Sequence, residues 1–300
     1  MNLKQQLVKK LTTEFPQIIF KKVDLVTKGW DHDVLALDNK FVVRFAKKRL
    51  SKKSFVREIN FLKKFSKISN LAVPKYSFLS KDKSFGGYEM IRGKELTPKL
   101  YKSLSVSKKQ KIIRELAKFL TILHSIPLQQ ARQFHFSEYT SWGSVLAEKQ
   151  KWFDDEFYAK MKKYLTPRQY DFIKNFIEYF CNSQYRIRPA LGHYDLSHDH
   201  IIMNGDGTIA GIIDFGDINI SDPAHEFNGF WDYDEKLPKQ IYKYYGGPKD
   251  KDFLKRCRDH FIHRWIYLLY DGKVRRKNED LWKEAKQRID EIIKTGYNFH

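Results

Sequence analysis

The chain of 300 residues contains only two cysteines, Cys181 and Cys257, whose separation matches no metal-binding or redox motif. A disulfide framework is therefore not expected, and isolated thiols are typical of a reducing compartment. The sequence also lacks any run of 18 apolar residues, and its first ten residues contain no apolar segment of the kind that a signal peptide requires. We expect a soluble, cytoplasmic protein with no membrane partner.

Acidic residues are scarce relative to basic ones. The chain has 56 Lys and Arg against 36 Asp and Glu, a formal net charge of +20, which would ordinarily indicate a polyanionic partner. The densest block, residues 44–67, contains ten basic residues and one acid, Glu58. Phe55, Ile59 and Leu62 recur there at helical spacing, so most of these basic side chains are interpreted as the solvated face of a helix. Since no nucleic-acid-binding module accompanies the charge, no specific nucleic-acid partner is expected.

Apolar residues are abundant enough for a large core, at 42% of the chain with 15% aromatic, and the length allows one large or two modest domains. Before residue 95 the pattern predicts strands at 18–26, 34–37 and 41–45, followed by the basic helix. From about residue 100 the apolar period becomes 3.6, which predicts helices around 113–124, 158–164, 170–180 and from 251 to the end. The order indicates an α+β fold whose second part is mainly helical.

Two short polar segments beside apolar strands carry most of the chemistry. The first reads Gly-His-Tyr-Asp-Leu-Ser-His-Asp-His from residue 192, and the second reads Gly-Ile-Ile-Asp-Phe-Gly-Asp from residue 211. Between them, Asn-Gly-Asp-Gly at 204–207 predicts a hairpin that brings the two segments together. Phosphoryl transfer requires a proton-accepting carboxylate, a metal ligand five residues later and a second metal-binding carboxylate. In this chain those positions are Asp195, His200 and Asp214, with His200 standing where protein kinases have Asn.

With that departure, the segment from His193 to Pro223 resembles the aminoglycoside phosphotransferase family, and it is most similar to the 2''-phosphotransferase branch. The resemblance implies a protein-kinase-like two-lobe fold, with a nucleotide-binding lobe at 1–93, a hinge at 88–93 and a helical lobe at 94–300. It also implies that Asp195 is the catalytic base, that His200 and Asp214 bind Mg²⁺, and that ATP or GTP is the phosphoryl donor. Aminoglycoside modification would confer antibiotic resistance, and a monomer is expected.

The nucleotide-binding residues are expected before residue 93. The third strand offers Arg44 where a kinase has the phosphate-binding Lys, and Glu58 in the next helix is its predicted partner; an ordinary surface role for Arg44 is the alternative. The Gly29-Trp30-Asp31 turn is similar to the corresponding loop of antibiotic kinases. In the hinge, the carbonyl of Glu89 and the amide of Ile91 are predicted to bond the purine, with Tyr88 behind the base. An edge strand and turn would suit the same hinge residues.

The segment 222–235 contains five acids and no Lys or Arg, which makes it the predicted binding site for the ammonium groups of a polyamine acceptor. The acids assigned to the acceptor are Glu226, Asp232, Asp234 and Glu235. Asp222 is expected to form a hydrogen bond back to the catalytic loop around Asp195 instead. The alternative to an acceptor role for Asp234 and Glu235 is that they only begin a helix.

Other functions remain open at this point. The candidate residues could form a zinc or dinuclear hydrolase cluster, since His and Asp at short spacing are common ligands; that set is His193, Asp195, His198, Asp199, His200 and Asp214. A kinase for a macrolide or a metabolite alcohol, a nucleotide-binding pseudokinase and a basic nucleic-acid-binding protein are the further alternatives.

Overall fold

The computed structural model describes residues 1–27, 32–47 and 49–297. Their chain divides into two compact units. The first unit comprises residues 1–137, 191–219 and 240–247, and the second comprises 138–190, 220–239 and 248–300. The predicted lobe boundary at residue 93 is a different division of the chain and stays a prediction.

The secondary structure begins with one helix, continues with strands and becomes mainly helical. The strands are β1 (Val23–Val26), β2 (His32–Leu37), β3 (Phe41–Ala46), β4 (Tyr76–Leu79), β5 (Phe85–Glu89), β6 (Lys94–Glu95), β7 (Ala190–Gly192), β8 (Ile201–Met203), β9 (Ile209–Ile212) and β10 (Asn219–Ser221). The helices are α1 (Leu3–Glu14), α2 (Arg49–Phe65), α3 (Pro98–Ser103), α4 (Val106–His124), α5 (Leu128–Arg132), α6 (Trp142–Trp152), α7 (Tyr158–Met161), α8 (Pro167–Asn182), α9 (Leu237–Tyr244), α10 (Phe253–Tyr270) and α11 (Glu279–Lys294). No helix in the described ranges is both long and apolar enough to cross a membrane.

The first unit contains an antiparallel five-stranded sheet in the order β1-β2-β3-β5-β4. Because successive side chains of a strand point to opposite faces, Val43 and Phe45 of β3 join the apolar core with Leu11 of α1. Arg44, between them, points to the other face and meets Glu58 of α2. The sheet therefore buries its apolar residues on one side and holds a buried cation on the other.

The first strand is shorter than predicted, since it begins at Val23 and not near residue 18. The carboxylate of Asp38 accepts hydrogen bonds from the backbone N–H groups of Lys21 and Lys22, at 3.0 and 2.6 Å from Oδ1. These donors are thereby satisfied by a side chain and not by a neighbouring strand. Residues 18–22 approach the sheet as a connection tied to the β2–β3 turn.

A second, three-stranded sheet of the first unit has the order β6-β8-β9. The hairpin predicted around 204–207 is present, since β8 and β9 pair antiparallel with Ile201 opposite Ile212. Gly207 has a φ of 88° in the turn. Gly93, at the entry to β6, has a φ of 151°, and a Cβ atom there would lie 2.2 Å from the carbonyl oxygen of Met203. Only glycine allows the chain to pass so close to β8.

The helix predicted at 113–124 lies within α4, which starts after the N-cap Ser105 and buries an apolar face that includes Leu116 and Leu120. His124 at its end is a buried core residue, and its Nδ1 lies 2.6 Å from the Tyr245 hydroxyl. The apolar stripe of α2 is also present, with Phe55 and Leu62 buried.

The second unit is built around α10, which buries Phe261, Ile262, Trp265, Ile266 and Leu269 in an aromatic-rich core and packs against α11. Asp222 does not have the expected catalytic-loop partner among its described contacts. Its buried carboxylate accepts from Arg256 Nε at 2.9 Å and lies 3.1 Å from His260 Nε2. Arg256 and His260 are four residues apart on α10, so one helix face supplies both partners.

Candidate active site

The loop after β7 places Asp195 at the surface and anchors its neighbour His193 in the interior. His193 is fully buried, and its Nδ1 accepts the backbone N–H of Asp195 at 3.2 Å while Nε2 donates to the carbonyl of Ile213 at 2.9 Å. The side chain of Asp195 is 47% exposed. Tyr194 has a φ of 61°, a left-handed conformation that is uncommon for such a residue and concentrates at functional sites. The loop thus exposes the carboxylate of Asp195, while buried His193 anchors its backbone.

The β8–β9 hairpin brings Asp214 to the loop that carries Asp195. The N–H of Ile213 donates to the carbonyl of His200 at 3.0 Å, so the two loops are bonded to each other just beyond the strands. His200 Nε2 then lies 3.7 Å from Asp214 Oδ2, and His200 Nδ1 lies 3.5 Å from Asp195 Oδ2. Asp214 also has a left-handed φ of 61°. Residues separated by nineteen positions in sequence therefore form one site.

The hydrogen bonds of His200 determine which ring nitrogen is available. Nδ1 lies 2.6 Å from the carbonyl oxygen of Asp195, a group that can only accept, so Nδ1 carries a proton. In the neutral ring, Nε2 then has a free lone pair, and it faces Asp214 and Asp199. A backbone carbonyl that fixes the histidine tautomer in this way is the usual arrangement behind a metal-binding imidazole.

The electrostatic environment gives the carboxyl groups of Asp195 and Asp214 different pKa values. Restricted hydration raises the pKa of Asp195 to about 7, opposed by His200 and reinforced by Asp217, Asp214 and Asp199. Burial would also raise the pKa of Asp214, but Arg44 and the nearby histidines outweigh it and hold that pKa at about 2. Burial lowers the pKa of His200, yet the three surrounding aspartates together raise it above its ordinary value. Asp214 is thus the carboxylate that stays ionised.

The number of converging side chains, and not the type of donor, fits Mg²⁺ better than zinc. Protein-bound Mg²⁺ typically has one or two carboxylates and takes its other ligands from water and phosphate oxygens, and Asp214 with His200 would form such a partial set. Structural and catalytic zinc sites need at least three converging protein ligands. Within the described ranges, no group of three or more His, Cys, Asp or Glu side chains has such an arrangement.

Arg44 links α2 to the loop that carries Asp214. Its Nη1 donates to Glu58 Oε1 at 2.5 Å and to the Tyr76 hydroxyl at 3.1 Å, while Nη2 donates to Asp214 Oδ1 at 2.8 Å and lies 3.2 Å from His32 Nδ1. Arg44 and Glu58 are both buried, which excludes the surface role. Burial raises the pKa of Glu58 to about 7 against the opposing effect of Arg44. The predicted pairing of Arg44 with Glu58 is present, and its nucleotide role stays a prediction.

The hinge residues lie where the sheet ends. Tyr88 is buried in β5, with its ring 5.0 Å from that of Tyr76, and Glu89 is exposed. The N–H of Met90 donates to the carbonyl of Lys40 on the β3 side. Since backbone groups of successive strand residues point to opposite sides, the carbonyl of Glu89 points away from β3. Ile91 is half-buried. The purine contacts of these three residues stay predictions.

The acids assigned to the acceptor lie in the second unit and differ in accessibility. Glu226 is buried in the 3₁₀ segment Pro223–Asp232. Asp232 pairs with Arg264 and accepts from Trp265 Nε1 at 3.2 Å. Asp234 and Glu235 are exposed, and Asp234 accepts the N–H of Lys236 at 2.8 Å. Asp234 and Glu235 are thus better placed than Glu226 and Asp232 to meet a ligand.

Three residues of the site received no task from the phosphotransferase prediction. They are His32, Tyr76 and His193, and all of them contact predicted residues, although only His193 stands within one of the two polar segments. For His32 the available signal was its place in β2, two residues before Val34, which pairs with Arg44. Such a register cannot be read before the strands are aligned. The Gly29-Trp30-Asp31 turn lies outside the described residues.

Solved structures of antibiotic phosphotransferases share this fold. The GDP and kanamycin complex of APH(2'')-IIIa is 22% identical, with 98% of this chain and 100% of that chain covered and a TM-score of 0.85. The streptomycin–ATP complex of APH(2'')-IIa is 22% identical over 90% and 91% of the two chains, with a TM-score of 0.69. Macrolide 2'-phosphotransferase type I is 15% identical over 96% and 99%, with a TM-score of 0.72. The kinase-like, two-lobe α+β fold is thereby confirmed.

The match at the level of sequence is longer than the motifs that suggested it. The model of the phosphotransferase enzyme family aligns with residues 22–255, which include β1, the Arg44–Glu58 pair, the polar segments that begin at residues 192 and 211, and the acidic segment 222–235. This span covers most of the chain, and it confirms the resemblance drawn from residues 193–223. The chain belongs to the phosphotransferase enzyme family.

Proposed function

We propose that the protein transfers the γ-phosphoryl group of ATP or GTP, with Mg²⁺, to a hydroxyl of an aminoglycoside. The observation that carries the proposal is the convergence of Asp195, His200 and Asp214. The half-exposed Asp195 carboxylate is available to an incoming hydroxyl, while His200 and Asp214 stand beside it with one nitrogen and two oxygens for a metal. These are the parts that phosphoryl transfer requires, and they stand in the required order.

Each of these residues would have a distinct task. Asp195 would accept the proton of the acceptor hydroxyl, and its raised pKa suits a base that works near neutral pH. His200 and Asp214 would hold Mg²⁺, which when bound supplies charge neutralisation for the donor phosphates. Arg44, fixed by Glu58, would hold Asp214 ionised and in position. The chain's contribution is therefore positioning and electrostatics and not covalent catalysis.

The donor would be held by the N-terminal part of the chain. The outward carbonyl of Glu89 and the amide of Ile91 would bond the purine, and buried Tyr88 would limit the depth of the base pocket. Solved relatives have been obtained with GDP, ATP and ADP. Either purine nucleotide thus fits the proposal, and a bulky residue at position 88 is the element that would bias the choice.

The acceptor would be cationic. Exposed Asp234 and Glu235 offer carboxylates for charge-assisted hydrogen bonds to ammonium groups. Relatives with this fold include structures with kanamycin, streptomycin and gentamicin, and also macrolide phosphotransferases. A macrolide has fewer cationic groups and would make less use of these carboxylates, which is why the aminoglycoside is proposed first.

The test is a steady-state screen of aminoglycosides and macrolides, each with ATP and with GTP, read by phosphate transfer to the drug. We expect Mg²⁺-dependent transfer to at least one aminoglycoside, and transfer slowed by roughly 10²–10⁴-fold in the Asp195→Asn variant. Transfer to macrolides alone would replace the acceptor in the proposal. If no phosphate is transferred from ATP or GTP to any aminoglycoside or macrolide, the antibiotic kinase function is contradicted.

A further inference from the structure

His32 is a buried polar residue beside the site. It is 6% exposed, and its ring packs on Phe55 at 5.0 Å between centroids. It lies in β2, two positions before the residue that pairs with Arg44, and it therefore shares the sheet face of Arg44. The motif-based reading of the site gives it no task.

The contact with Arg44 fixes the state of the ring. A guanidinium has only donors, so His32 Nδ1, 3.2 Å from Arg44 Nη2, must be the acceptor, and the single proton of the neutral ring sits on Nε2. Burial, reinforced by the charge of Arg44, lowers the pKa of His32 to about 3, so the ring is neutral at physiological pH. His32 is thus a neutral acceptor for a charged donor.

The two ring nitrogens differ in their described contacts. Nδ1 contacts Arg44, whereas Nε2 is buried and has no hydrogen-bond partner among the described residues, and a buried N–H without a partner is unfavourable. A phenylalanine of similar shape would pack against Phe55 but would offer no acceptor to Arg44. The contribution that distinguishes the histidine from an apolar ring is therefore the acceptor Nδ1.

His32 Nδ1 restrains the orientation of the Arg44 guanidinium group. Glu58 and Tyr76 both bind Nη1, and the other terminal nitrogen, Nη2, reaches Asp214 with one N–H and His32 with the other. A carboxylate in place of His32 would compete with Asp214 for the positive charge, whereas a neutral acceptor aligns Nη2 and leaves the charge to Asp214. All four terminal N–H groups of Arg44 are then directed.

We propose that His32 is a positioning residue that orients Arg44 so that its Nη2 holds the metal-binding carboxylate of Asp214. The inference rests on the proposed function, since it concerns how the site binds the Mg²⁺–nucleotide. It assigns the arginine at position 44 a dedicated neutral partner. The consequence is that His32 acts on donor binding and turnover while leaving the acceptor untouched.

Three substitutions separate this role from a structural one. His32→Phe keeps the ring and removes both nitrogens. His32→Asn places an amide oxygen near the position of Nδ1, and His32→Gln places its amide near Nε2. Steady-state kinetics with the drug and the nucleotide, together with thermal unfolding, are measured for each variant and for each change in an Arg44→Lys background.

We expect His32→Phe to raise the nucleotide KM or lower kcat by about tenfold in total, as for misplacement of a supporting group, with an unchanged or higher Tm and an unchanged drug KM. His32→Asn should restore most of the loss and His32→Gln should not. In the Arg44→Lys background, His32→Phe should have no further effect, because there is no fork to orient.

Wild-type kinetics in His32→Phe would overturn this inference and leave the proposed function standing. Equal impairment of the His32→Phe and His32→Asn variants at equal Tm would do the same. If the wild-type protein shows no Mg²⁺-dependent nucleotide binding by calorimetry, the proposed function fails and this inference fails with it. The calorimetric control therefore distinguishes the two failures.

Discussion

At the scale of single residues, the carboxylate of Asp195 should matter for turnover and not for binding. It is half-exposed and takes no part in the Arg44 contacts that hold Asp214. Asp195→Asn should therefore lower kcat by roughly 10²–10⁴-fold, the usual range for a positioned base, while nucleotide affinity stays nearly unchanged. Asp171→Asn, which neutralises an exposed carboxylate on α8 outside the site, is the matched control. If the Asp195→Asn variant keeps more than half of the wild-type kcat, Asp195 is excluded as the base.

The two predicted metal ligands should differ in their tolerance. Asp214→Ala removes the carboxylate that Arg44 keeps ionised, so we expect Mg²⁺-dependent nucleotide binding to be lost. His200→Asn should retain part of the activity because Asn is the template residue at that position. Nucleotide binding by calorimetry with and without Mg²⁺ measures both effects. Inactivation by zinc chelators combined with indifference to Mg²⁺ would instead favour a zinc enzyme.

At the scale of elements, α10 carries buried histidines that make stability depend on pH. Burial lowers the pKa of His260 from 6.5 to about 4, and it also lowers the pKa of His263 well below its ordinary value. The unfolded chain therefore binds protons that the folded chain does not bind, so these residues contribute stability that is complete above pH 6.5. That stability is lost as the pH falls from 6.5 through the folded value of about 4.

The measurement is the free energy of unfolding in urea at pH 8 and pH 5. His263→Phe removes one titrating group and keeps a ring against Phe180, on which His263 stacks at 5.5 Å. The loss of stability between the two pH values should be smaller in this variant than in the wild type. Equal losses would show that His263 is not kept neutral by burial. His135→Phe, which changes a histidine outside this core, is the control.

The sequence predicted more of the elements than of their contacts. The α4 helix, the apolar stripe of α2 and the β8–β9 hairpin follow from periodicity and turn chemistry, which are local properties. The late start of β1 at Val23 depends on the Asp38 carboxylate, sixteen residues away from Lys22, and no local pattern reveals that bond. The partners of Asp222 likewise could not be predicted. Arg256 and His260 lie four residues apart on α10, and this spacing indicates a shared partner only once the packing of the helix is known.

The same limit applies to the site. The motif spacing predicted that Asp195, His200 and Asp214 would meet, because a hairpin joins their segments. It also predicted the partnership of Arg44 with Glu58. It did not predict His32 or Tyr76, whose roles arise from strand register and from packing on α2. Residues that orient other side chains have no fixed spacing in the sequence, because any residue that the fold brings close can take that role.

At the scale of the whole molecule, the net charge is unevenly distributed. Residues 1–137 contain 30 Lys and Arg against 10 Asp and Glu, whereas residues 138–300 contain 26 of each. The acidic segment 222–235 belongs to the balanced part. A cationic acceptor that binds there therefore meets a part of the chain without net positive charge, which reconciles a strongly basic protein with a basic substrate.

This distribution leads to a test of the acceptor site. Changing the exposed pair Asp234→Asn and Glu235→Gln together should raise the aminoglycoside KM by roughly two- to tenfold, as expected for two exposed ion pairs, with little change in the nucleotide KM. Raising the salt concentration should shrink the difference between variant and wild type by screening. The double change Asp171→Asn and Glu178→Gln on α8 is the charge-matched control.

An unchanged aminoglycoside KM in the Asp234 and Glu235 double variant, at low and high salt alike, would favour a neutral or weakly charged acceptor. Asp232 is left intact in this design because its neutralisation would strand Arg264, with which it pairs. A loss of stability would then be mistaken for a loss of binding.

The four acceptors around Arg44 also have a consequence for substitutions at that position. A lysine at position 44 has one nitrogen in place of the fork, so it would leave some of the acceptors on His32, Tyr76 and Asp214 unfilled. A change of Arg44 to the lysine that protein kinases have at this position would therefore be harmful by itself. We expect the lysine to be better tolerated when His32 is replaced as well, because one acceptor is then removed.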